Sequence, residues 1–370
     1  MDPRPIAGLL WGGLLGLALS LAAIRWLAPR GWMDVPDARK RHQEATPLTG
    51  GLALWAVLVA GHLTGWLRLP FHGEDWTAVH AMALMGAVDD RFGLRARYKA
   101  LIGLLVALVL GWHAAQGLLP QGGLVHVARL DLPNRLAFTV PLAVLWFWGI
   151  PQAFNLIDGM NGLALGLAAL LLVVLGFGAG SGATVLLGAV LAALVLNYPR
   201  ARHFLGDSGA FLLGTLLAIL ALKRGLPSHP NLALWAFAYP IVDVTLVVAI
   251  RLIQRRSLAE ADHNHLHDWM SEHLERFGVP RPRLAATPLL VLLAAGPMLH
   301  VLPWTYAHPV GLAGLALLLV VAAAQCRIVL RRRGPVVATA QPEARIVSAP
   351  RVSGAQRVAT QPPVGSEHRG

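Results

Sequence analysis

Between residues 6 and 330 the apolar residues fall in long blocks, not at the spacing of an amphipathic helix. Such blocks cover 6–23, 101–110, 163–176, 185–196 and 312–324, each extended by mild flanks. A run of about 20 apolar residues spans the hydrocarbon layer of a bilayer, where the backbone can satisfy itself as a helix. Hydrophobic residues make up 56% of the 370 and charged ones 14%, too few charges to cover the outer faces of so many water-soluble helices. The expected fold is therefore all-α and polytopic. Eleven spans are read, at 6–28, 50–67, 76–89, 99–116, 136–152, 162–179, 182–198, 209–222, 232–252, 285–302 and 309–330. The first is read as a span and not a signal peptide, because it starts with little positive charge and lacks a small-x-small cleavage site.

Charge sets the expected orientation. Lys and Arg concentrate at 30–41, 91–99, 251–283 and after the Arg331-Arg332-Arg333 run. The positive-inside rule puts these segments in the cytoplasm and the N-terminus in the periplasm. The formal charge of +12 is thereby explained by the membrane, with no nucleic acid implied. The single cysteine, Cys326, excludes an intrachain disulfide and a cysteine metal site. Residues 1–333 read as the membrane domain and 334–370, rich in Pro, Arg, Gln and Ser, as a disordered basic tail.

On this topology every polar cluster falls on the cytoplasmic side. Asp89 and Asp90 end the third span. They read either as a terminal pair bridged to Arg91 or Arg95, or as a cation site, since two acids at a helix C-terminus oppose its dipole. In FNLIDGMNG, Asn155, Asp158 and Asn161 recur every three residues, which on a helix puts them on one side. An ionisable group at a membrane edge is costly and points to function, while amides suit a nucleobase or sugar hydroxyls. The competing reading is helix packing through small residues and amides. In FLGDSG, Asp207 is expected to face a metal while Ser208 caps the following helix. The run HNHLHD alternates His263, His265 and His267. Zinc is conceivable from that spacing, but the oxygen-rich acids elsewhere favour Mg²⁺. Lys40 and His42 lie in a basic loop, and Asp243, inside a span, is given Arg251 as its expected partner. Acids, amides and cations on one membrane face suit a diphosphate and a membrane-embedded partner.

The order and spacing of five segments resemble the polyprenyl-phosphate N-acetylhexosamine-1-phosphate transferases over about residues 30–270. The segments are DVPDARKRHQEATPLTGG, DDRFGLRARYK, NLIDGMNGLA, FLGDSG and DHNHLHD. The resemblance implies transfer of an N-acetylhexosamine-1-phosphate, N-acetylglucosamine foremost, from a UDP-sugar to undecaprenyl phosphate at the bacterial inner membrane, with release of UMP. It implies Mg²⁺, with Mn²⁺ as an alternative, held by Asp207 with Asp90. Asp89, Asp90 and Lys99 would be catalytic, and Lys40 and His42 would meet the lipid phosphate. Asn155, Asp158, Asn161, His265 and His267 would hold nucleotide and sugar. A homodimer is compatible with it. Three positions depart from the family pattern. Asn161 stands where the family has Asp, Asp268 where it has His, and Gly103 where it often has Gln. The readings set against this one are the lipid I-forming branch, whose fifth motif is richer in adjacent histidines, a transporter, and an inactive homologue.

Overall fold

The computed structural model describes residues 4–36, 44–117, 124–127, 130–133, 136–176, 181–225, 231–257, 264–302 and 307–331. Each of the eleven expected spans contains helix within the described residues. In chain order the helices are α1 (Arg4–Trp26), α2 (Gly50–Leu63), α3 (Gly73–Phe92), α4 (Ala96–Gly117), α5 (Leu136–Ile157) and α6 (Leu163–Gly176). There follow α7 (Ser181–Asn197), α8 (Gly206–Gly225), α9 (Asn231–Ala236), α10 (Ala238–Ile253), α11 (Leu266–Arg276), α12 (Pro282–Met298) and α13 (Ala307–Arg331). Among the described residues, six helices are long and apolar enough to cross a membrane: α1, α4, α5, α8, α12 and α13. This is a multi-pass membrane architecture. Helices α2 and α6 have 14 residues each and α7 has 17; at 1.5 Å per residue, 14 residues reach about 21 Å, short of a ~30 Å hydrocarbon layer. Helix α3 has 20 residues but carries Glu74, Asp75, Asp89, Asp90 and Arg91. The expected span 232–252 divides at Phe237 into α9 and α10. The tail at 334–370 and the loop carrying Lys40 and His42 lie outside the described residues.

Helix α8 is apolar on all sides and central, with Phe211, Leu216, Leu217, Ala218 and Leu220 all fully buried, as such a helix must be. Helices α3 and α5 pack on it, and α4 packs on α5. At the periphery α1 lies along α7 through Gly8, Gly12, Gly16 and Ser20, the buried residues of α1. A stripe of small residues every four positions lets two backbones touch where no water drives them together. A Cβ on Gly12 would fall 1.9 Å from the backbone oxygen of Val185. Gly12→Leu is therefore expected to cost about 3 kcal/mol through overpacking, read as a lower melting temperature of the detergent-solubilised protein. Leu14→Ala, at a site facing outward from the bundle, should leave the melting temperature nearly unchanged.

Among the described residues there are also two short strand pairs. The first pairs β1 (Met33–Asp34) with β2 (Thr46–Pro47). The second, β3 (Leu124–Val127) with β4 (Leu130–Pro133), follows α4. Behind the first, Gly50 and Gly51 N–H groups donate to the carbonyls of Phe204 and Leu205. The start of α2 is thus bound to the segment that leads into α8. The stretch 251–283, which joins two expected spans, contains helix α11.

Candidate active site

Four helix ends meet at one end of the bundle: the C-termini of α3 and α5 and the N-termini of α4 and α8. They bring together residues up to 118 positions apart. Lys99, from α4, sits between two carboxylates, with Nζ 3.0 Å from Asp89 Oδ2 and 2.8 Å from Asp207 Oδ2. Asn155 donates through Nδ2 to the other oxygen of Asp207 at 2.8 Å. The second oxygen of Asp89 accepts the N–H of Leu94. Asp89, Lys99, Asn155 and Asp207 thus form one hydrogen-bonded set.

Asp90 explains how two acids can end a helix. Its Oδ1 accepts the N–H of Asp207 at 2.8 Å and its Oδ2 that of Ser208 at 3.0 Å. The carboxylate caps α8 from outside, in the favourable field of that helix's N-terminus. Ser208 was the expected cap; the structure assigns capping to Asp90 instead. Among the described residues neither Arg91 nor Arg95 bridges the pair, and Lys99 takes that place for Asp89. Gly206 begins α8 at φ +72° with Asp90 oxygens 2.7 and 2.9 Å from where its Cβ would be, so both the backbone and the space require glycine.

The third motif is arranged differently from the expectation. Helix α5 ends at Ile157, so Asn155, Asp158 and Asn161 do not share a helix face. Asn155 is on the last turn, Asp158 is in the following turn, and Asn161 is held through its backbone, whose carbonyl accepts from Thr287 Oγ1 at 2.9 Å. Gly159 and Gly162, the latter at φ +79°, follow the helix end. The Asp158 carboxyl is pushed well above the usual carboxylate range, first by enclosure and then by the charges of Asp207 and Asp90. Lys99 is thus shared by Asp89 and Asp207, while Asp90 is satisfied by backbone amides.

The fifth motif reaches the same place through Gly159. A Cβ there would come within 2.6 Å of His267 Nε2. His267 stacks on His265 with ring centroids 5.3 Å apart and planes 13° apart. Asp268, the departure from the family pattern, stands 3.6 Å from Arg283 Nη1 and 3.5 Å from His267 Nε2. Arg283 also donates to the carbonyl of Gly159. Asp243 takes His265 and the N–H of Leu266 as partners instead of the expected Arg251. His263 lies outside the described residues, as do Lys40 and His42. Arg283, Thr287 and Asn197, whose Oδ1 accepts the N–H of Gly162, tie the Asp158 turn in place and were not read from the sequence. Each is a single polar residue within a helix, with no motif to mark it.

His267 is driven to neutrality. Burial lowers its pKa from 6.5 to about 4, against the pull of Asp268 and Asp243. In the unfolded chain it takes a proton near 6.5, so stability from the neutral ring is complete above that pH. It is lost as pH falls from about 6.5 to about 4, by about 3 kcal/mol at the end of that window. The melting temperature is expected to fall over that range in the wild type and to fall less in His267→Gln.

Metal-binding potential divides between two places. The oxygens of Asp207 and Asp158 are of the kind that suits a hard divalent cation, and both Asp207 oxygens already accept hydrogen bonds, from Lys99 and Asn155. Asp90 already directs both oxygens at amides. At the far end of α3, His72, Glu74 and Asp75 bring possible ligand atoms within 4.8 Å of one another. There the Lys223 ammonium already pairs with Asp75. A cavity of about 290 Å³ opens beside that second group, away from every residue expected to be functional.

Comparison with known sequences covers this region. The profile of glycosyl transferase family 4 matches residues 76–225, from α3 to the end of α8. A Bacillus subtilis (strain 168) protein named probable undecaprenyl-phosphate N-acetylglucosaminyl 1-phosphate transferase is 32% identical over 257 residues, 64% of this chain and 69% of that one. Proteins named undecaprenyl-phosphate alpha-N-acetylglucosaminyl 1-phosphate transferase are similar too. That of Yersinia pestis is 26% identical over 270 residues, covering 69% of this chain and 73% of its own. That of Escherichia coli (strain K12) is 27% identical over 253 residues, covering 64% and 68%.

Proposed function

Because this chain belongs to glycosyl transferase family 4, we propose that it transfers N-acetylglucosamine-1-phosphate from UDP-N-acetylglucosamine to undecaprenyl phosphate and releases UMP. The observation that carries the proposal is the Asp89–Lys99–Asp207–Asn155 set, assembled within the segment that matches the family. The reaction is a phosphoryl transfer. An oxygen of the lipid phosphate attacks the sugar-linked phosphorus, a new P–O bond forms, and the bond to UMP breaks. Such a step depends on position and charge neutralisation.

The residues divide this work. Lys99, at the junction of two carboxylates, is placed to hand its charge to the phosphate of the acceptor. Asp89, fixed by Leu94 and Lys99, orients that phosphate and takes up its proton if it arrives protonated. Asp90 keeps Asp207 in place by capping α8. Asn155, Asp158 and Asn161 meet the nucleotide, and His265 and His267 the sugar. Lys40 and His42 join the acceptor side. Asp207, with Asp158 close by, would hold Mg²⁺, which supplies charge neutralisation at the donor diphosphate; Mn²⁺ is the natural substitute.

A polyprenyl chain stays in the bilayer, so its phosphate meets the enzyme at the interface where these helix ends lie. With the basic loops in the cytoplasm, the site faces the soluble nucleotide sugar, as at a bacterial inner membrane. The product would begin a cell-envelope polysaccharide. The test is to incubate purified protein with undecaprenyl phosphate, Mg²⁺ and a panel of UDP-N-acetylhexosamines, with mass spectrometry of lipid and nucleotide. UMP and a lipid carrying one N-acetylglucosamine, both lost on chelation, is the expected result. Folded protein yielding no lipid-linked sugar with any donor overturns the proposal.

A further inference from the structure

Asp243 lies in α10 with no exposed surface, and the reaction above makes no use of it. Both of its oxygens are engaged. Oδ2 is 2.8 Å from His265 Nδ1, and Oδ1 accepts the N–H of Leu266. A carboxylate buried in an apolar helix is costly to keep. What it holds leads to the site. His265 lies flat against His267, and His267 abuts Gly159, the neighbour of Asp158. His267 Nδ1 is buried with no hydrogen-bond partner among the described residues. Such an atom marks a bond left for a ligand or water to complete. Gln325 of α13 supports the same turn by donating to the carbonyl of Asn264.

The chemistry of the contact fixes more than position. A carboxylate only accepts, so the His265 nitrogen facing it carries the hydrogen. In the neutral ring Nε2 is then the acceptor, the form that receives a hydrogen bond from a sugar hydroxyl. The bond to Leu266 N–H anchors the first residue of α11 and, with it, the tilt of both rings. We propose that Asp243 is a positioning residue for the sugar-nucleotide side of the site. It holds His265 in the Nδ1–H tautomer and fixes the stacked His265–His267 pair that receives the donor sugar. The inference rests on the transfer reaction proposed above. It assigns no part to Asp243 on the acceptor side, where Lys99 and Asp89 lie.

The experiment uses the purified full-length protein with UDP-N-acetylglucosamine and undecaprenyl phosphate. Asp243→Asn keeps shape but presents an N–H to His265, which forces the other tautomer. Its kcat/KM for the donor is expected to fall by about 10- to 100-fold, the size of effect seen when the orienting partner of a metal-bound histidine is removed. The KM for undecaprenyl phosphate should stay near wild type. Adding His265→Ala to Asp243→Asn should cost little more, because the two residues act as one unit. His265→Asn, whose amide reaches Asp243 as Nδ1–H does but offers nothing at Nε2, should match Asp243→Asn. Three results overturn the inference: wild-type donor kinetics in Asp243→Asn, equal losses for both substrates, or His265→Ala adding its full effect to Asp243→Asn. If Asp243→Asn does not fold, His265→Asn decides, and wild-type donor kinetics there overturns it. Failure of the transfer reading shows separately, as wild-type protein that transfers no sugar from any donor.

Discussion

Asp207→Asn is expected to reduce turnover by about a thousandfold or more, equivalent to about 4 kcal/mol of transition-state stabilisation. Asp207 accepts two hydrogen bonds, one from Lys99 and one from Asn155. An amide there removes a negative charge and turns one acceptor into a donor aimed at another donor. Lys99 is left with Asp89 alone, and the proposed metal loses its principal ligand. UMP release and lipid-linked sugar, measured over a Mg²⁺ titration in folded protein, read the effect. Near-normal turnover at ordinary Mg²⁺ would remove Asp207 from the role given to it here.

Gly86→Ala is expected to act on the same site from behind. Gly86 lies on α3, one turn before Asp90 and buried against α8. A Cβ there would fall 2.4 Å from the carbonyl carbon and oxygen of Asp207 and from the nitrogen of Ser208. These are backbone atoms that cannot swing aside, so α3 and α8 must part. The expected cost is about 3 kcal/mol of stability. Activity should fall by more than about tenfold, since displacements near 1 Å can cost about a hundredfold. The readouts are melting temperature and kcat together. Leu84→Ala, on a half-exposed position of the same helix, is the comparison and should leave kcat close to wild type. An unchanged kcat in Gly86→Ala would mean that the site tolerates separation of the two helices.

Much of the site was legible from residue type alone. Asp89, Lys99, Asn155 and Asp207 stand out because each is polar at the edge of an apolar run, where an unpaired group is costly. Their joint placement at one end of the bundle follows from the alternation of helix direction. The geometry within the motifs was less legible. NLIDGMNG has helical spacing, but α5 stops at Ile157, so Asn161 does not share a helix face with Asn155, and its backbone carbonyl accepts from Thr287. The HLHDWM segment carries polar residues typical of a loop, yet Leu266 starts a helix because Asp243, 23 positions earlier, accepts its N–H.

The sequence by itself determined a helical membrane protein, the approximate place of each helix and the kinds of residue available for chemistry. Hydrophobic length and polar exceptions are local properties, and they are written residue by residue. Only the tertiary structure decided which partner each charged group takes. Asp90 caps a helix more than a hundred residues away, Lys99 joins two acids, and Asp243 chooses a histidine over an arginine. In a membrane interior an ionised group must find a partner, but several partners lie within reach along the chain. Which one is taken depends on how helices pack to within a fraction of an ångström, through glycines such as Gly86 whose importance appears only when the opposing backbone is in place.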